Sequence, residues 1–524
     1  MLDNFKSVSD KKLDLLVLIT LSVIVIISRI SFMSKFLYDE DSVGYALAFT
    51  NYNIALHQPH PPGYILLIAL GKAINVLFND PNLSIIFINI LFTILTIVFI
   101  YFLAKQMISR KFAIITALLL IFNPIFWVYG EISTSYLSAA LFATLIALTS
   151  YRVLKGDSRF IYISALVLGL AGGFRQDIIL FMFPLWLYCL IYKNREPKRI
   201  VLGLVILAVT ALLWFIPTII LTGGYETYSA VARRLFLISF SVNSVLFGAD
   251  VSNNINMGFR VLYWSIVGIG IANIFILLFY IIFKIKSFKL SLFRNSTFIF
   301  FALWIIPALI FFLLVLFAKP GYILLLLPTF ALIMAYVILN FSTDLNSRFN
   351  KVSTNTFIII LLSISLVSGV IQFTNPSENG LYQIRIQSVD QNFQDISDSI
   401  KLFKPENTVI FSDNDVTCRK VNYYFPDFES YCYTTYANNK SPQEFTHYKN
   451  GKTKISQADG FDINLNSSTT RILWIVDANS PFFKSLESKI EIKTLELSNG
   501  YKIYYSDVNN NTNFDINGFT IKKA

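Results

Sequence analysis

Residues Tyr38 to Tyr64 read YDEDSVGYALAFTNYNIALHQPHPPGY and follow the first apolar run of the chain. Asp39, Glu40 and Asp41 are contiguous, and His57 and His60 precede a Pro61-Pro62-Gly63 turn. If the segment after the acids is helical, Asp41 and Tyr45 share a face, since residues four apart are neighbours on a helix. A carboxylate between membrane and aqueous loop is partly desolvated, which raises its basicity. It then suits a general base that takes a proton from a hydroxyl. A helix N-cap accounts equally for one aspartate at such a place. Three acids in a row before an aromatic-bearing helix favour chemistry. The two histidines invite a metal, or they belong to an extended loop and bond nearby polar groups. Pro61 and Pro62 end any preceding helix and stiffen the turn. A short apolar helix follows, with Lys72 placed to snorkel.

Composition fixes what must carry these residues. The chain has 524 residues, 55% hydrophobic, 16% aromatic and 14% charged, with a mean hydropathy of +0.59. Soluble domains of ordinary composition carry about a quarter charged residues, so this is a membrane protein. Eleven windows are apolar enough to span. They are 13–30, 84–103, 112–128, 133–151, 161–173, 178–192, 200–221, 261–283, 298–317, 322–340 and 357–373, the fifth and sixth being short. The first shows no small-residue cleavage site and reads as an anchor, not a signal peptide.

Charge sets the orientation. With the N-terminus in the cytoplasm, the cytoplasmic loops and N-terminus carry 19 Lys and Arg, and the opposite side, before the tail, carries 8. The positive-inside rule selects that topology. The basic excess is therefore a topology signal, and no nucleic-acid partner is implied. An odd number of spans leaves the tail outside, in a plasma membrane. Asp39 to Asp41, Glu131 and Asp177 then stand at the outer membrane edge, where ionisable groups usually mark a site. Arg233 and Arg234 fit contact with anionic lipid headgroups.

The chain divides into a membrane domain, residues 1–375, and a small extracytoplasmic α/β domain, residues 376–524. In the latter, TVIFSD and RILWIVDA read as buried strands. IEIKTLEL and YKIYYSDV flank Asn499-Gly500, a type I′ hairpin signal. NNNTN near the end reads as a flexible polar stretch. No Gly-rich phosphate loop is present, which argues against a nucleotide site in the tail. Cys418 and Cys432 either remain thiols or, outside the cell, close a 14-residue loop with a disulfide, worth roughly 3 kcal/mol.

The acids after the first span, the HPPGY loop and a further acid after the third span resemble the GT-C superfamily of membrane glycosyltransferases. The arrangement DSVGYALA…HPPGY is most similar to the protein O-mannosyltransferase-like branch. The resemblance covers the membrane region, about two-thirds of the chain. It implies a polytopic α-helical GT-C fold of about eleven transmembrane helices. Carried over by residue, the first-loop acid falls on Asp41, with the Asp39-Glu40 pair as the alternative. The second-loop acid falls on Glu131 in FWVYGEISTSY, and the basic residue after a Gly-rich span end falls on Arg175 in GLAGGFRQD. A later K-P-G-Y…P element matches Lys319, Tyr322 and Pro328, while His57, His60 and Tyr64 form the substrate loop. Aminoarabinose transferases of the superfamily usually have Lys where Arg175 stands, and Asp-Glu where Asp41-Ser42 stands. These departures leave the donor sugar open.

The implied reaction takes a sugar from a polyprenyl-phosphate donor to a hydroxyl of a protein, glycan or lipid acceptor, with inversion. Asp41 takes the hydroxyl proton. Arg175 and Lys319 meet the charge that develops on the departing phosphate. Glu131 orients the acceptor or, with Asp41, holds a divalent metal ion. Arg175 has a plainer account too, as the ion-pair partner of Asp177. The competing class is a transporter or flippase of lipid-linked sugars, which also places charges in the membrane. Against it, the acids gather at one face and no inverted repeat is visible. A binding scaffold leaves the acidic triplet without a purpose.

Overall fold

The computed structural model describes residues 2–193, 196–284, 295–349, 351–375, 383–434, 444–449, 452–457, 460–497 and 499–523. Arg195, Lys286, Lys289 and Arg294 of the basic loops lie outside the described residues, as does the domain boundary expected near residue 376. The chain forms two compact units. One comprises residues 1–34 and 61–386, the other residues 35–60 and 387–524. The acidic loop thus belongs with the C-terminal unit and not with the membrane unit, which differs from the division at residue 375.

The first unit is helical. Among the described residues, seven of its helices are long and apolar enough to cross a membrane: Asp10–Ile30, Pro81–Met107, Leu137–Leu154, Pro197–Leu221, Ser296–Leu314, Leu327–Arg348 and Thr354–Thr374. Val251–Ile269 and Ile271–Lys284 are apolar enough only as a pair, bent by 85° at Gly270, whose φ is 95°, the geometry of a broken span or a re-entrant loop. Ile65–Phe78, Phe160–Phe174 and Gln176–Tyr192 are shorter apolar helices. Most of each expected window lies on helix, but 133–136 and 315–317 do not, and some windows are broken. Window 112–128 breaks because Asn123 caps Pro124–Val128 by accepting from the N–H groups of Ile125 and Phe126. Proline at the first helical position then starts a new helix. Tyr225–Asn243, which carries Arg233 and Arg234, is a further helix in none of the windows.

Apolar side chains face outward along these helices, with Leu213 70% and Ile220 67% exposed. Lipid is the solvent for such a surface. Inside, glycines let helices approach. A Cβ at Gly173 would lie 2.5 Å from Leu66 and 2.9 Å from Trp214, and the Trp214 indole N–H donates to the Gly169 carbonyl at 2.8 Å. The GLAGGF segment is thereby clamped two residues before Arg175.

The second unit is α/β. Its larger sheet uses β1 (Thr408–Ser412), β2 (Glu429–Thr434), β3 (Glu444–Lys449), β4 (Lys452–Gln457), β6 (Arg471–Ile475), β7 (Lys493–Glu496) and β8 (Lys502–Asp507). The strand order is β4-β3-β2-β1-β6-β8-β7. β1 runs parallel to β2 and to β6, and the outer pairs are antiparallel. The two expected buried strands are β1 and β6, side by side at the centre. Alternation along β1 sends Val409 and Phe411 into one core and Ile410 into another, so both faces are covered.

A smaller sheet orders β5 (Asp462–Leu465), β10 (Phe519–Lys523) and β9 (Asn513–Ile516). The β7–β8 hairpin forms as expected, but among its described turn residues only Gly500 has positive φ. Type I′ needs two such residues. That geometry occurs instead at Asn517 (φ 47°) and Gly518 (φ 87°), between β9 and β10. NNNTN forms a turn in which the Thr512 amide donates to the Asn509 carbonyl at 3.0 Å. Cys418, on the helix Asp415–Tyr424, is joined to Cys432 on β2 by a disulfide.

Candidate active site

The sequence-selected residues divide between the two units. In the second unit, Asp39 is the N-cap of the helix Glu40–Ala48. Its carboxylate accepts from the Ser42 amide at 3.0 Å, and its own amide donates to the Ser42 hydroxyl at 2.8 Å, a closed capping box. This settles which acid caps. Asp41 lies in the first turn, 9% exposed, with Oδ1 3.1 Å from Nδ1 of His60. Tyr45 is fully buried, and its ring centre is 5.9 Å from that of His60. The four-residue spacing therefore does put Asp41 and Tyr45 on one face, and His60 meets both. Gly44 allows the approach, because a Cβ there would lie 2.8 Å from the His57 carbonyl oxygen. His57 takes the left-handed conformation with φ 57° as the helical turn Ile54–Leu56 ends.

The carboxylates of Asp39, Glu40 and Asp41 lie within 4.8 Å of one another. A divalent ion fits that donor set by charge and spacing. Two observations reduce its need for one: Asp39 is engaged as the cap, and the Lys420 ammonium already faces Asp39 and Glu40. Glu131, the other proposed ligand, belongs to the first unit.

In the first unit Arg175 sits in the break between the helices Phe160–Phe174 and Gln176–Lys193, in extended conformation and 4% exposed. Its Nε and Nη2 donate to the two carboxylate oxygens of Asp177 at 3.1 and 2.6 Å, and Nη1 donates to the Ser135 hydroxyl at 3.0 Å. Three tyrosine rings surround the guanidinium carbon, Tyr136 at 4.4, Tyr322 at 5.4 and Tyr64 at 5.8 Å. Gly321 makes room, since a Cβ there would be 2.4 Å from the Tyr136 ring. Lys319 immediately precedes the helical turn Pro320–Leu325, which carries Tyr322. The plainer expectation for Arg175, pairing with Asp177, is what the geometry contains.

Glu131 is fully buried in the turn between the helices Pro124–Val128 and Leu137–Leu154. Asn89 ties that turn down by donating to the carbonyls of Ile132 and Thr134 at 2.8 and 2.9 Å. Among the described residues, neither Glu131 carboxylate oxygen has a hydrogen-bond partner. Its counter-charge is Arg29, fully buried on the first helix. The Arg29 guanidinium donates to the Ile121 carbonyl at 2.7 Å and lies 5.1 Å from the Trp127 ring centre. Gly130 passes close by, a Cβ there falling 2.9 Å from Arg29 Cγ. Sequence reasoning did not single out Arg29, Ser135 or Tyr136. An arginine inside an apolar run was the available signal for the first, and none marked the other two.

Residues 59–220 match the model of a family described as dolichyl-phosphate-mannose-protein mannosyltransferase. The structure is similar to that of ArnT from Cupriavidus metallidurans in the apo state, with a TM-score of 0.58 and 12% identity, covering 94% of this chain and 98% of that one. The chain has the GT-C fold. ArnT from the same organism bound to undecaprenyl phosphate matches with a TM-score of 0.54 and 12% identity over the same shares of the two chains. No curated protein sequence matches at a significant level. Within the GT-C fold the matched segment begins at Pro59, so it contains His60, Tyr64, Glu131 and Arg175 but not the acidic triplet.

Proposed function

We propose that this chain is a polytopic membrane glycosyltransferase that moves a sugar from a polyprenyl phosphate to an acceptor hydroxyl, inverting the anomeric centre. The observation that carries this reading is the Asp41 carboxylate, buried against His60 and Tyr45 on a capped helix, in a chain of GT-C fold. Support for the donor class comes from the family-model match and from the ArnT structure bound to undecaprenyl phosphate. Mannose as the sugar and a protein hydroxyl as the acceptor follow the description of the matched family.

In this reading Asp41 takes the acceptor proton while His60, 3.1 Å away, fixes the carboxylate's direction. The hydroxyl oxygen attacks the anomeric carbon as the bond to the lipid phosphate breaks, through an oxocarbenium-like state. Charge develops on the departing phosphate, and Arg175 and Lys319 answer it. Asp177 occupies the guanidinium fork that a phosphate would otherwise use, so it acts as a carboxylate stand-in that the donor displaces. Where a divalent ion is bound at the acidic triplet, it supplies further positive charge. The N-terminus faces the cytoplasm and the C-terminal unit faces outward at the plasma membrane.

Purified protein incubated with radiolabelled polyprenyl-phosphate sugars, mannose first, and extracted membranes tests the reading. Wild type should transfer label from at least one donor, and Asp41→Asn should lower turnover by roughly 10²–10⁴, the usual worth of a general base. Label that crosses the bilayer still attached to its lipid, with no transfer from any donor, would instead identify a flippase. Turnover that survives dialysis against EDTA would remove the metal from the scheme.

A further inference from the structure

The chain segment ahead of the acids is held by residues from the far end of the sequence. Asp390, 8% exposed, accepts the backbone N–H of Lys35 at 2.8 Å, across 355 positions, and that of Phe36 at 3.3 Å. The Tyr424 hydroxyl accepts the N–H of Leu37 at 3.0 Å. Three consecutive amides are therefore anchored, and the last lies two residues before the Asp39 cap. Apolar contacts follow the same path. Leu37, Val43 and Ala46 pack with Tyr423 and Tyr424, and the Phe36 ring meets Phe393 edge-on at 5.0 Å.

Lys420 stands four residues before Tyr424 on the same helix, Asp415–Tyr424. It is 3% exposed, and its ammonium lies 5.3 Å from the Phe393 ring centre and faces Asp39, Asp390 and Glu40. Burying an ammonium is unfavourable unless carboxylates compensate it, and clustered carboxylates equally need the cation.

We propose that Asp390, Lys420 and Tyr424 are positioning residues for the Asp41 base, so that turnover depends on the C-terminal unit. This rests on the reading of Asp41 given above. The physical basis is geometric: two carboxylate oxygens and one phenol fix the height of residues 35–37, and the lysine fixes the turn that follows. Loss of any of them lets the capped helix shift, and displacements near 1 Å at a reacting group cost about 10²-fold in rate.

Hydrogen–deuterium exchange on the full-length protein in nanodiscs reads the anchor without a substrate. Asp390→Ala and Tyr424→Phe should speed exchange of residues 35–41 at least about tenfold while β1 and β6 stay unchanged. With the donor found by the panel above, both variants and Lys420→Met should lower kcat roughly 10- to 100-fold and leave the donor KM within about twofold. Lys420→Arg should restore most of the loss, which a mere packing role would not allow. Asp41→Asn separates the two readings. If it is fully active, the base assignment fails. If it is inactive while the three anchor variants keep wild-type kcat, positioning alone is overturned. Lost kcat with unchanged exchange at residues 35–41 overturns it as well.

Discussion

Asp39 and Asp41 are two residues apart and do different work. Asp39 spends its carboxylate on a backbone amide, and asparagine caps a helix about as well as aspartate. Asp39→Asn should therefore leave turnover within a few-fold of wild type in the labelled-donor assay, while Asp41→Asn removes nearly all of it. The reverse result would move the base to the Asp39-Glu40 pair. A similar contrast holds at Arg175, whose planar fork is filled by Asp177. Arg175→Lys keeps the charge but loses the fork, and should raise the donor KM several-fold. Asp177→Asn loosens the competing ion pair, so the donor KM should fall or hold steady. A rise on Asp177→Asn would show that the carboxylate serves the arginine's orientation instead.

At the level of elements, the helix Glu40–Ala48 is bound to the C-terminal unit through Leu37, Val43 and Ala46 against Tyr423 and Tyr424. Residues 387–524 expressed alone would expose that apolar face. A chain in which residues 35–60 are fused to residues 387–524 should melt several degrees higher than 387–524 alone, by circular dichroism. Equal melting would mean the loop adds nothing to the unit.

The pairing of β2 with β3 has its own pH signature. Glu429 accepts from His447 at 2.8 Å and from Lys449 at 2.7 Å. Burial opposes its ionisation, but these bonds outweigh burial and lower the carboxyl from 4.5 to about 2. A lowered folded value stabilises above the unfolded one and is lost as pH falls toward the folded one. The unit should therefore lose stability from about pH 4.5 down to about pH 2, and Glu429→Gln should flatten that part of the Tm profile.

The whole molecule combines a lipid-facing helical unit with an α/β unit whose surface is ordinary for water. Lys489 on the second unit and Glu196 at a basic loop of the first are both exposed, and the free Cys189 is buried. With the N-terminus inside, Lys489→Cys should react with an impermeant maleimide in intact cells and Glu196→Cys should not. The opposite labelling would invert the topology and place the acidic loop in the cytoplasm.

Much of this was legible in the amino-acid order because local physics determines it. Apolar windows give helices, short β-rich apolar runs give β1 and β6, and a spacing of four puts Asp41 and Tyr45 on one helical face. The resemblance to GT-C enzymes likewise rested on short local motifs. Tertiary structure decided what depends on distant partners. Asp390 and Tyr424 reach the backbone of residues 35–37 across hundreds of positions, and no periodicity encodes that pairing. Arg29 and Glu131 come together inside the helical unit, where neither sequence neighbourhood names the other. Sequence spacing placed Asp39 and Asp41 in one loop, but only the path of the chain into the helix decided which carboxylate meets a backbone amide and which meets His60. Spacing sets the face a side chain takes; the folded chain sets what stands opposite it.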